Sequence, residues 1–95
     1  GDLSVDIGQH RVTRKGQEIQ LSSKEFALLE HLIQNKNTVL SREQIEGHIW
    51  NFDYEGASNM VDVYIRYLRK KIDDPFDKKL IHTVRGRGYV LREDA

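Results

Sequence analysis

Val61-Asp62-Val63-Tyr64-Ile65-Arg66-Tyr67-Leu68-Arg69-Lys70-Lys71-Ile72 holds two patterns at once. Val61, Ile65, Leu68 and Ile72 recur at helical spacing and form one apolar stripe. At 100° per residue the opposite face carries Asn59, Val63, Arg66, Tyr67 and Lys70, with Asp62 and Arg69 on one flank and Tyr64 and Lys71 on the other. The pattern predicts a helix from about Asn59 to Asp73, stopped by Pro75. Its outer face suits a duplex major groove. Arg, Lys and Asn donate to base edges and phosphates, and an apolar side chain such as Val63 can meet a thymine methyl.

Downstream, Leu80–Thr83 and Tyr89–Leu91 are strand-like, and Val84-Arg85-Gly86-Arg87-Gly88 joins them. This predicts a β-hairpin with a glycine-flanked basic tip. Glycine lets backbone approach a neighbour closely, and Arg85 and Arg87 suit a narrow, electronegative minor groove. Between Lys78 and Arg92 there are five basic residues and no acid. Net charge is zero, but Asn59–Ala95 carries nine Lys/Arg against six Asp/Glu, and Gly1–Ser58 carries six against nine. Such asymmetry is expected of a chain that meets a polyanion on one side.

Upstream, Ser41-Arg42-Glu43-Gln44 is a capping box opening a short helix to about Trp50, with Ile45 and Ile49 one turn apart. Gly47 inside it costs about 1 kcal/mol relative to Ala, so this helix depends on tertiary support. Ser22-Ser23-Lys24-Glu25 is another capping box, and Phe26, Leu29, Leu32 and Ile33 predict a helix from Ser23 to about Gln34. Before it the period is two. Leu3, Val5 and Ile7 alternate with polar residues, Val12 begins a second strand, and Ile19 and Leu21 belong to a third. Lys15-Gly16 is a tight hairpin turn. Residues 51–58 read as a loop.

The 95 residues make one small domain, 1–95, of α+β class, with an ordinary soluble composition of 38% hydrophobic and 32% charged residues. Without cysteine, disulfides and thiolate metal sites are excluded. No apolar run approaches the roughly 18 residues that span a bilayer, so no membrane partner is expected. The start at Gly1, without Met, suggests a fragment of a longer protein. His10, His31, His48 and His82 are scattered outside any metal-ligand spacing, and no nucleophile–base arrangement is readable. No metal, cofactor or enzymatic activity is therefore expected. Asp73, Asp74 and Asp77 lack the ligand count of a calcium loop and read as a solvated helix end. A protein-docking module would not need Arg85 and Arg87 at the hairpin tip. RNA binding would need an exposed aromatic platform.

Leu21-Ser-x-Lys-Glu25-Phe26-x-Leu28-Leu29, Leu40-Ser41-Arg42-Glu43, Trp50, the 61–72 stretch and Thr83-Val84-Arg85-Gly86-x-Gly88-Tyr89 together resemble the C-terminal effector domain of OmpR/PhoB-family response regulators, over roughly Leu3 to Arg92. The resemblance implies a bacterial winged helix-turn-helix with a four-stranded antiparallel N-terminal sheet, three helices and a C-terminal β-hairpin wing. It implies sequence-specific double-stranded DNA binding and transcriptional regulation in the cytoplasm. The positions it matches to DNA contacts are Trp50, Asn59, Asp62, Val63, Tyr64, Arg66, Tyr67, Arg69 and Lys70, with Thr83 and Arg85 on the wing. Tyr67 stands where family members often carry arginine. Phe52, Asp53, Tyr54 and Glu55 fall in the loop that the resemblance assigns to RNA polymerase. Further implied are a head-to-tail homodimer on direct repeats and, in a parent two-component phosphorelay protein, a receiver domain served by a sensor histidine kinase.

Overall fold

A computed structural model describes residues 3–49 and 59–93; Trp50 and the loop 51–58 lie outside the described residues. Three short strands come first: β1 (Leu3–Asp6), β2 (Arg11–Arg14) and β3 (Gln17–Ile19). They form an antiparallel sheet in chain order. Lys15 and Gly16 both have positive φ (51° and 81°), as a two-residue hairpin turn needs to follow the strand twist. The register places Val5 opposite Val12 and Val12 opposite Ile19, one apolar row across the sheet. The described part of this sheet has three strands, not the four that the resemblance implies. Residues 7–10, between β1 and β2, form turns, and residues 20–22 lead straight into the first helix.

α1 (Ser23–Gln34) begins at the expected capping box: the Glu25 amide donates to Ser22 Oγ at 3.2 Å, and the Ser22 amide to Glu25 Oε1 at 2.9 Å. α2 (Arg42–Ile49) repeats the device, with the Ser41 amide on Gln44 Oε1 at 2.8 Å and the Gln44 amide on Ser41 Oγ at 3.1 Å. α3 (Asn59–Ile72) turns Val61, Ile65, Leu68 and Ile72 into a core shared with Phe26, Leu28, Leu29 and Leu32 of α1 and with Ile45 of α2. The hairpin of β4 (Ile81–Val84) and β5 (Gly88–Leu91) closes this core with Ile81, Tyr89 and Leu91.

The hairpin is fastened to the connection between α1 and α2. The Leu40 amide donates to the Tyr89 carbonyl at 2.8 Å, the Tyr89 amide to the Leu40 carbonyl at 3.0 Å, and the Asn37 amide to the Leu91 carbonyl at 2.9 Å. Backbone approaches so closely here that a Cβ on Gly88 (φ 140°) would fall 1.9 Å from the Leu40 oxygen. Gly86 at the tip also has positive φ, but open space surrounds it.

The helix end at Asp73 departs from the expected solvated cluster. Asp73 is 2% exposed and pairs with Arg14 of β2, itself fully buried, at 3.0 Å. Asp74 and Asp77 are exposed, as expected.

Candidate nucleic-acid interface

With its apolar stripe in the core, α3 presents Arg66, Tyr67 and Lys70 to solvent, Tyr67 at 46% exposure. Val63 and Tyr64 are half-buried. Tyr64 packs against the core margin and meets the Tyr67 ring edge-on, centroids 5.6 Å apart. Asn59 is the first residue of α3. Lys71, on the flank, is drawn to Glu25 of α1 at 2.7 Å. Burial alone would raise the Glu25 carboxyl; hydrogen bonds from Lys71 and Ser22 outweigh it and hold the group below its ordinary value.

The other flank of α3 is bonded to the hairpin. Arg69 Nη2 donates to Thr83 Oγ1 at 2.6 Å and to the Ile81 carbonyl at 3.3 Å, and its guanidinium lies over the Tyr89 ring at 5.5 Å. Asp62 accepts from Arg42 Nε at 3.0 Å and from the Tyr89 hydroxyl. Burial, with the carboxylate beside it, pushes the Tyr89 phenol up. The hydrogen bond to Asp62 likewise raises the already high value of Arg42. Asp62, Arg69 and Thr83, three of the expected contact residues, thus form a bracket fixing the wing against the helix.

Arg85 and Arg87 project from the exposed turn, where the Arg87 amide closes the loop on the Val84 carbonyl at 2.9 Å. No ion pair joins Arg66, Lys70, Arg85 or Arg87 to an acid among the described residues. Between the hairpin and the start of α2 lies a cleft of about 500 Å³, lined by Arg42, Glu43 and the segment from Thr83 to Tyr89. Arg42 escaped the sequence reading as a site residue. Its place just inside a helix N-terminus, in the capping box and in the motif Leu40-Ser41-Arg42-Glu43, gave it no contact role. Trp50 and the candidate polymerase loop Phe52, Asp53, Tyr54 and Glu55 lie outside the described residues. Among the described residues no His, Asp or Glu cluster is arranged to hold a metal. No helix there is long and apolar enough to cross a membrane.

The model of the family described as "Transcriptional regulatory protein, C terminal" matches residues 16–91. The transcriptional regulatory protein TcrA of Mycobacterium tuberculosis is 53% identical over 94 residues, covering 99% of this chain and 37% of that protein. Among solved structures, the RstA DNA-binding domain of Klebsiella pneumoniae in complex with the RstA box is 30% identical, with a TM-score of 0.86 over 98% of this chain and 93% of that one. Response regulator DrrB, a Thermotoga maritima OmpR/PhoB homolog, is 35% identical, with a TM-score of 0.86 over 97% of this chain and 42% of that one. The chain spans about two fifths of the length of the curated relatives it matches.

Proposed function

The chain belongs to the family of C-terminal domains of transcriptional regulatory proteins, a DNA-binding, non-enzymatic family of winged-helix fold in its OmpR/PhoB branch, and from that membership we propose that α3 reads a major groove while the wing enters the adjoining minor groove. The observation that carries this reading is the division of charge around α3. One flank is bonded to the hairpin, and the cations of the outer face and the wing tip are left without acidic partners among the described residues. A rigid helix–wing pair presenting unneutralised cations is what a phosphate-lined duplex attracts.

In this assignment Arg66 and Lys70 donate to base edges or phosphates, Val63 meets a thymine methyl, and Tyr67 and Asn59 complete the reading face. Tyr64 supports Tyr67 from the core side. Arg85 enters a narrow minor groove and Arg87 steers electrostatically beside it. Trp50 makes a backbone contact, and Thr83 can still donate its hydroxyl proton to a phosphate while accepting from Arg69. Asp62 and Arg69 act mainly by holding this surface in shape.

Around the domain we place a cytoplasmic two-component regulator. Its phosphorylated receiver domain, addressed by a sensor histidine kinase, brings two copies head-to-tail onto direct repeats. The acidic-aromatic loop Phe52–Glu55 suits RNA polymerase better than a phosphate backbone. Selection of bound sites from random duplex DNA tests the core of this reading. Direct repeats about one helical turn apart are the expected product. Recovery of no enriched duplex sequence would overturn it.

A further inference from the structure

The sheet β1–β3 and the wing share no strand pairing, yet one side chain from the sheet reaches the root of the wing. Val12 and Arg14 lie on the same face of β2, so the alternation that buries the valine also turns the arginine inward. There Arg14 donates to the carbonyls of Ile72 and Lys78, the two residues that flank the turn 73–77 after α3. Its guanidinium covers the Phe76 ring at 4.7 Å and pairs with Asp73. Asp73 uses both oxygens on the first residues of the wing: Oδ1 accepts from the Leu80 amide at 3.1 Å and Oδ2 from the Ile81 amide at 2.9 Å. Ile81 is therefore gripped at its amide by Asp73 and at its carbonyl by Arg69.

We propose that Asp73, oriented by Arg14, is a positioning residue for DNA recognition: it sets the direction in which the wing leaves the recognition helix. A buried ion pair adds little net stability over apolar residues of the same volume, so stability alone does not account for one here. What the carboxylate supplies, and an apolar side chain cannot, is two directed acceptors at the onset of β4. The functional half of this inference rests on the wing's entering a minor groove; the geometric half does not.

The test separates position from stability and from DNA. The chain has no cysteine, so Gln34→Cys on α1 and Arg87→Cys at the wing tip can carry a unique pair of spin labels. The labelled parent should give one narrow distance distribution. In Asp73→Asn, which keeps one acceptor and loses the other with the charge, the distribution should broaden or shift. In Arg14→Met/Asp73→Asn, which leaves no unpaired buried charge, the unfolding midpoint should recover relative to Arg14→Met alone, and the distance should stay displaced. A distance that returns together with the midpoint, or never moves in Asp73→Asn, overturns the proposal. In parallel, with unlabelled protein, Asp73→Asn should lose the preference for A·T-rich over G·C-rich flanks and keep discrimination among bases read by α3. Retained flank preference with a displaced wing would overturn the functional half. A wild-type chain without any flank preference would overturn the minor-groove assignment itself, while the spin-label distances still decide the geometric half.

Discussion

Arg66 and Arg69 stand one turn apart on α3, identical in chemistry and opposite in circumstance. Arg69 is half-buried and donates to Thr83 and Ile81 of the hairpin. Arg66 is exposed and bonded to no acid among the described residues. The first belongs to a zone whose groups are bonded to one another: Asp62 to Arg42 and Tyr89, Leu40 to Tyr89, Asp73 to Arg14 and two amides. The second belongs to a zone that leaves its charges for a partner. Between such neighbours residue type separates nothing; helical phase sets which one meets the hairpin, and the hydrogen bonds made there turn one arginine into a brace and leave the other open.

The largest effect is expected where the braced zone is tightest. Gly88→Ala drives a methyl group into the Leu40 carbonyl and should cost more than about 3 kcal/mol, or detach the hairpin altogether. Gly86→Ala, with open space around it and only its positive φ to strain, should cost about 1 kcal/mol. Chemical denaturation of the two variants checks this, and equal losses would remove the close approach as the cause.

Next come the two arginines. Arg66→Ala should lose about 1–3 kcal/mol of affinity for the selected site and leave the unfolding midpoint where it was. Arg69→Ala should lower the unfolding free energy by about 1–3 kcal/mol, and weaken binding to correct and altered sites alike. Titrations against both sites, beside thermal unfolding, separate the two. Full stability in Arg69→Ala would mean that Arg69 braces nothing.

Smaller still, Arg85→Ala should reduce affinity most at sites with A·T-rich flanks, and Arg85→Lys should restore general affinity but little of the flank preference. A flank-independent loss made good by lysine would leave Arg85 an electrostatic anchor.

The smallest effect concerns a pair on the other two helices. The rings of His31 in α1 and His48 in α2 stack with centroids 3.8 Å apart. Burial, and then the neighbouring His48, hold His31 below its ordinary value of 6.5. The unfolded chain therefore takes up this proton more readily than the folded one. The resulting stability is complete above 6.5 and declines as pH falls through the window beneath it. His48→Gln should flatten that decline, as unfolding midpoints followed from neutral to mildly acidic pH will show. An unaltered slope would mean that the stacked pair does not set it.

Much of this architecture was legible because it is written locally. Both capping boxes, the stripe of α3 and the Lys15-Gly16 turn each depend on residues a few positions apart, and each lies where the spacing put it. The outer face of α3 was legible in the same way, since helical phase alone turns Arg66, Tyr67 and Lys70 outward. What escaped was carried by partners distant in sequence. Arg14 ended a strand of alternating character and gave no sign of an acid 59 positions later. Asp73 looked like one of three solvated acids because its neighbours Asp74 and Asp77 are. The strand-like pairing of Leu40 with Tyr89 has no local signature, and neither has the bond from Tyr89 to Asp62, made across the fold.

That pairing of Leu40 with Tyr89 also orders events during synthesis. The helix that opens the core is made early, but β5, which clasps the connection behind it, leaves the ribosome after every other element described. A nascent chain that has produced α3 already displays basic side chains, and still lacks the strand that holds the wing in place. Translation therefore withholds a finished binding surface until residue 91 has emerged, and a chain stalled before β5 carries the charge of the domain without its geometry.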